Sequence, residues 1–176
     1  MVRVLLVISL KSIGFVTFLD HRDDSATRVL RLRHDSPLNS LRAMKDGHRV
    51  LANGLSRTAI YDLRYLAAPR TSKKSEPCSS PFLGFSNRHV SDRLDLGCDY
   101  YPELNIAAMA SSQGMSHHVT LYSTRTGKVI SSALNKAQLG GPIPCLKFTN
   151  PRSGPPSLLM APEGEEITLM EWRCHG

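Results

Sequence analysis

Short apolar runs rich in Val, Ile, Leu and Phe recur along the whole chain, and turn-forming residues separate them. None keeps a helical period for three turns, so the pattern predicts β-strands and an all-β fold. Strands are expected at Val2–Leu10, Gly14–Asp20, Arg28–Arg33, Leu38–Met44, Val50–Gly54 and Thr58–Leu63. A second series is expected at Phe82–Phe85, Leu94–Tyr100, Asn105–Ser111, His118–Ser123 and Lys128–Ala133. The last group is Pro144–Phe148, Ser157–Ala161 and Glu166–Trp172. Asp46-Gly47 and Thr126-Gly127 mark two of the turns.

The strands repeat. His34–Arg64 and Asp95–Ile130 each read as strand, turn, a strand rich in small residues ("VLANG", "IAAMASS"), turn, and a strand ending aromatic-polar ("IYD", "LYS"). A third copy begins at Ile143 and runs to Trp172. Tyr61 and Tyr122 lie 61 residues apart, where propeller repeats recur every ~40–45 residues. The excess is close to the length of Ala67–Pro81, "AAPRTSKKSEPCSSP", with its flanks. Pro, Ser and Lys dominate there, which predicts a flexible surface loop inserted between strands. An inert insertion is the simpler reading, and a phosphorylated or partner-binding loop is the alternative.

Composition narrows the function classes. The chain has 176 residues, 41% hydrophobic and 21% charged, as expected for one soluble domain with a real core. Residues 1–93 hold 16 Lys and Arg against 8 Asp and Glu, whereas residues 94–176 hold 6 against 7. A basic half can favour nucleic acid or an acidic protein surface. Only Lys73-Lys74 are adjacent, however, so the scattered charge points away from nucleic acid. Cys78, Cys98, Cys145 and Cys174 are far apart, with no C-x-x-C pair and no Cys/His cluster, so no zinc site is expected. Scattered cysteines fit a reducing compartment. The first run, Val4 to Leu10, is interrupted by Lys11 after seven residues. It reads as a strand and not as a signal peptide, and no segment is apolar for long enough to span a membrane.

No pattern in the sequence points to catalysis. In His117-His118, neighbouring strand side chains point to opposite faces and cannot easily share one ligand. The carboxylates of "PEGEE" read as an acidic turn, and neither a phosphate-cradling loop nor a nucleophile elbow occurs. No enzyme, cofactor, metal or small-molecule ligand is expected.

The repeats resemble WD repeats, in which a His-containing turn is followed, about two dozen residues later, by an aromatic-Asp pair that ends a blade's third strand. Here His34 opens the best copy and Tyr61-Asp62 closes it 27 residues on. The resemblance implies a partial β-propeller of about three to four blades, with residues 1–176 as a single domain. Tyr61 stands where tryptophan is usual, and the second copy ends Tyr122-Ser123. Leu55 and Ser116 stand where a typical repeat carries its turn Asp. The His–Asp network of a typical blade is therefore expected to be incomplete, and His34 is either a network member or a surface turn residue.

"RLRHDSPLNSLRAMKDGHRVLANG…IYDLR", "LYSTRTGKVI" and "IPCLKFTNPRSGPPSLLMA", in that order, are similar to the WD-repeat substrate receptors of cullin-RING ubiquitin ligases. The likeness is to the DDB- and cullin-associated factor four group in particular. That family carries a W-D-x-R box, whose arginine helps dock the ligase adaptor, itself a propeller protein. Tyr61-Asp62-Leu63-Arg64 matches the box with Tyr for Trp, and Leu19-Asp20-His21-Arg22 matches its D-x-R core. The resemblance thus implies a partner-binding set of Asp20, Arg22, Tyr61, Asp62 and Arg64. It also implies a nuclear or cytoplasmic scaffold, an adaptor and an unknown substrate as protein partners, and a chain holding only part of a propeller. Chemically, Asp at a strand end can accept backbone N–H groups of the next turn, and Arg offers a planar fork to carboxylates and carbonyls. Pairing of Asp62 with Arg64 is the purely structural alternative. A generic WD-repeat scaffold in a chromatin or RNA-processing complex is the alternative function.

Overall fold

The computed structural model describes residues 2–10, 13–20, 28–66, 79–85, 93, 95–150, 156–164 and 170–173. These residues contain thirteen strands, two short 3-10 turns and no α-helix. Within each sheet the strands pair antiparallel in sequence order, so the described residues are all-β, built of separate meanders, and no sheet closes on itself. The chain divides into two compact units, Met1–Gly84 and Phe85–Gly176.

The first unit holds two sheets. One joins β1 (Val2–Leu10), β2 (Ile13–Asp20) and β3 (Arg28–His34); the other joins β4 (Leu38–Ala43), β5 (Arg49–Gly54), β6 (Thr58–Asp62) and β7 (Leu83–Gly84). Alternation along β3 buries Leu30, Leu32 and His34 and leaves Arg31 and Arg33 half-buried. Val16, Leu30 and Leu32 pack with Val50, Ala52, Ala59 and Tyr61 in one core. All five residues of β6 are buried, so "TAIYD" shows no alternation, as expected of a strand covered on both faces. Leu51 and Ile60, on the opposite face from that core, are fully buried as well. Burial of each is worth about 1.5–3 kcal/mol.

In the second unit β8 (Cys98–Tyr101), β9 (Ile106–Gln113) and β10 (Ser116–Ser123) form one sheet, and β11 (Cys145–Thr149), β12 (Ser157–Ala161) and β13 (Met170–Arg173) form the other. Ala108, Ala110, Val119 and Leu121 pack with Leu146, Phe148, Leu158 and Met160. Strand β11 keeps a clean period of two: Leu146 and Phe148 are buried, Cys145 and Lys147 exposed. It is an edge strand, and the Phe148 amide donates to the Asp99 carboxylate of β8 at 2.8 Å. Lys147 Nζ lies 3.4 Å from the same carboxylate, which is buried.

Several expected elements differ in detail. Lys128–Ala133 is not a strand: a single bridge joins Val129 to Tyr122, and Ala133–Lys136 is a 3-10 turn. The Asn135 amide donates to the Ile130 carbonyl at 2.8 Å and Ser132 Oγ to Asn135 at 2.9 Å, and these side-chain bonds take the place of a ladder. The strand expected from Leu94 begins at Cys98, and the one expected from Glu166 is described from Met170. Of the inserted loop, residues 67–78 lie outside the described residues; Ser79 is held against β3 by two bonds with the Arg33 backbone, at 2.9 and 3.0 Å. The Asp46-Gly47 turn is present, with Gly47 at φ 74°, a left-handed conformation that glycine adopts without penalty.

Candidate functional site

The end of β6 is built from inside outward. Tyr61 is the largest fully buried side chain of the described residues. Its hydroxyl meets Nδ1 of His34 at 2.8 Å, and Nε2 of His34 meets the Arg57 carbonyl at 3.0 Å. A carbonyl only accepts, so Nε2 carries the proton; in the neutral ring Nδ1 then accepts from the Tyr61 hydroxyl. The two rings also meet edge to face, 5.8 Å apart. His34 is therefore no surface turn residue. A phenol and a backbone carbonyl satisfy it where the resemblance placed a turn Asp.

Burial pushes the His34 imidazole below its usual range; the Arg57 carbonyl and nearby Asp35 only partly offset this. The surrounding turns are locked together. Arg57 pairs with Asp35, Ser56 N donates to Ser36 Oγ at 3.0 Å, and Gly54 N donates to the Arg57 carbonyl at 2.9 Å. A Cβ at Gly54 would lie 2.7 Å from the Pro37 carbonyl oxygen and 2.9 Å from His34 Nε2, so this close approach admits glycine alone.

Asp62 then turns the chain. It sits in extended backbone (φ −98°, ψ 117°) and caps the 3-10 turn Leu63–Tyr65 by accepting from the Arg64 amide at 3.0 Å. The Arg64 guanidinium folds back onto the same carboxylate: Nε donates at 2.9 and 3.2 Å, and Nη2 at 2.6 Å. Arg64 holds the Asp62 carboxyl below the usual carboxylate range, outweighing burial, which acts the other way. The Asp62 side chain is 2% exposed and that of Arg64 54%. No described residue bonds Nη1 of Arg64, and its guanidinium carbon lies 5.7 Å from the ring centroid of the exposed Tyr65. Across the ladder, Asp62 faces Arg49 of β5, which pairs with Asp46 and reaches over the Phe82 ring at 5.1 Å.

Of the five residues singled out from sequence, Tyr61, Asp62 and Arg64 come together in one layered unit. Tyr61 and Asp62 are buried supports, and Arg64 presents the charge. Asp20 closes β2, where it pairs in register with Arg28 of β3, and Arg22 lies outside the described residues. Arg49 and Phe82 were not anticipated. The cross-strand register that brings Arg49 beside Asp62 is the signal that could have found Arg49, whereas the position of Phe82 follows from its amide bond to the Ile60 carbonyl, 2.8 Å long.

In the second unit, His117 and His118 sit on β10 directly opposite Ser112 and Ser111 and share hydrogen bonds with them of 3.0 and 2.7 Å. They occupy alternate faces as cross-strand ties. Burial, with the neighbouring His117, pushes the His118 imidazole below its usual range. Among the described residues no group of His, Cys, Asp and Glu could hold a metal ion, and no helix is long and apolar enough to cross a membrane. Comparison with known protein families and with curated proteins found no match.

Proposed function

We propose that this chain is a non-catalytic scaffold of the WD-repeat type, a substrate-receptor-like subunit of a cullin-RING ubiquitin ligase that docks the ligase adaptor through Arg64. The observation that carries this reading is the Asp62–Arg64 unit. A buried carboxylate at the end of a fully buried strand holds a solvent-facing guanidinium in one orientation, with Nη1 left to meet a partner. Antiparallel meanders that follow one another along the chain support reading the sheets as successive blades of a propeller. The His34–Tyr61 bond supports reading residues 34–62 as one degenerate repeat.

Adaptor pull-down tests the reading. The wild-type chain should retain the adaptor, and the Arg22→Ala/Arg64→Ala double variant should lose it while keeping its far-UV spectrum. Retention of the adaptor by that folded double variant removes the basis for the proposal. A partner drawn from a chromatin or RNA-processing assembly, unaffected by the two changes, would favour the general scaffold reading.

A further inference from the structure

The end of the β5–β6 ladder carries more than one arginine. Arg49 and Asp62 are opposite each other in register, and Asp62 holds Arg64, so the two arginines are one cross-strand step apart. Each is fixed at its base by an aspartate: Arg49 by Asp46 of the β4–β5 turn, Arg64 by Asp62. Each guanidinium also lies over an aromatic ring that the fold leaves in water. Tyr65 is 82% exposed and Phe82 58% exposed.

Exposed aromatics beside oriented arginines are the composition of binding hot spots. The arginines are pre-organised, so little side-chain entropy remains to be lost on contact. The charge balance of the patch is positive. Arg42, Lys45, Arg49 and Arg64 stand at this end of the sheet against Asp46 and Asp62, and the Asp62 carboxylate is turned inward. His48, bonded through Nδ1 to the Asp46 backbone carbonyl, lies in the same turn. A complementary surface would present carboxylates to the guanidinium N–H groups and apolar side chains to the two rings.

We propose that Arg49, Arg64, Tyr65 and Phe82 form a two-pronged docking surface for an acidic segment of another polypeptide, in which each arginine meets a carboxylate and each ring an aliphatic side chain. This deepens the docking role proposed for Arg64 and shares its face, but it names a second prong, Arg49 with Phe82, and a partner chemistry. The probe is a fluorescein-labelled peptide of alternating Glu-Glu-Leu triplets, its Gln-Gln-Leu counterpart, and a single-stranded oligothymidine of similar length. Anisotropy with the full chain should show saturable binding of the Glu peptide, weakened at least ~10-fold in Gln-Gln-Leu. Arg49→Ala, Phe82→Ala and Arg64→Ala should each weaken it several-fold, while Arg125→Ala in the other unit leaves it unchanged.

Equal binding of the Glu and Gln peptides overturns the proposal. So does equal loss in all four variants, or tighter binding of oligothymidine that the same three substitutions abolish. Failure of the adaptor pull-down with an intact peptide response would remove the ligase reading alone. Adaptor binding that is sensitive to Arg64 but not to Arg49 or Phe82, without a peptide response, would overturn this proposal and leave the ligase reading standing.

Discussion

Replacing Tyr61 by Phe deletes one oxygen from the interior and tests the layered unit at its base. The ring stays, so its packing in the core and its edge contact with His34 are kept. What is lost is the only described partner of His34 Nδ1, on a side chain that is 0% exposed. A buried acceptor left without a donor costs about 1–3 kcal/mol, beyond the modest net worth of the bond itself. We expect a loss near ~2 kcal/mol in the first unit, which by the usual conversion speeds exchange about 30-fold. Trp172 lies in the other unit, so tryptophan fluorescence is a poor reporter. Hydrogen exchange followed on peptides from β5 and β6 reads the affected unit directly. Pairing the change with His34→Leu should recover part of the loss, because neither polar partner then remains and the Arg57 carbonyl still accepts from Gly54. Exchange changed by less than ~2-fold in Tyr61→Phe, against the ~30-fold expected from the stated cost, or single losses that simply add in the double variant, would refute the assignment of His34 as an obligate hydrogen-bond partner.

His34 and His118 both lie below their usual range in the folded chain, so below about pH 6.5 the unfolded chain binds protons first. Stability should therefore fall as pH drops from 6.5 through the folded values, and His118→Asn should flatten that slope in the second unit; a midpoint rising on acidification would contradict the sign. Gly54→Ala should destabilise the first unit by about 1–3 kcal/mol, since backbone at Pro37 must shift; a melt unchanged from wild type would show the turn has more room than its geometry states. Arg64→Lys should weaken any carboxylate partner, because an ammonium cannot reproduce the forked contact on Asp62 and still present an outward N–H pair; Glu-peptide anisotropy unchanged from wild type would contradict this.

Most of the strands, and the turn at Asp46-Gly47, that β-branched, small and turn-forming residues dictate were legible in the sequence, as was the strand end at Tyr61-Asp62. The pairing alternative weighed for that box is realised in the structure, yet it leaves the guanidinium facing water, so the two readings do not exclude each other. His34 was ambiguous because its partners are a carbonyl and a phenol: a backbone acceptor leaves no mark in a sequence, and tyrosine is read first as an apolar filler. Val129 was over-read as part of a strand because apolar content alone cannot reveal that the Asn135 amide would claim the Ile130 carbonyl. Arg49 and Phe82 were invisible for a third reason. They are distant from Asp62 in sequence: strand register brings Arg49 beside it, and the amide bond to the Ile60 carbonyl sets Phe82 under Arg49.

The Asp99 carboxylate has a consequence beyond its own unit. An edge strand offers its outward amides to any extended peptide, and β11 would extend a ladder readily, given its regular alternation. Asp99 occupies one of those amides, and Lys147 stands beside it as a charge that an incoming strand would have to bury. The chain thus carries a guard against self-templating at this edge. The guard has two parts, because the Gly97 backbone also closes on the Leu146 amide of the same edge, so close that a Cβ there would lie 2.7 Å from it.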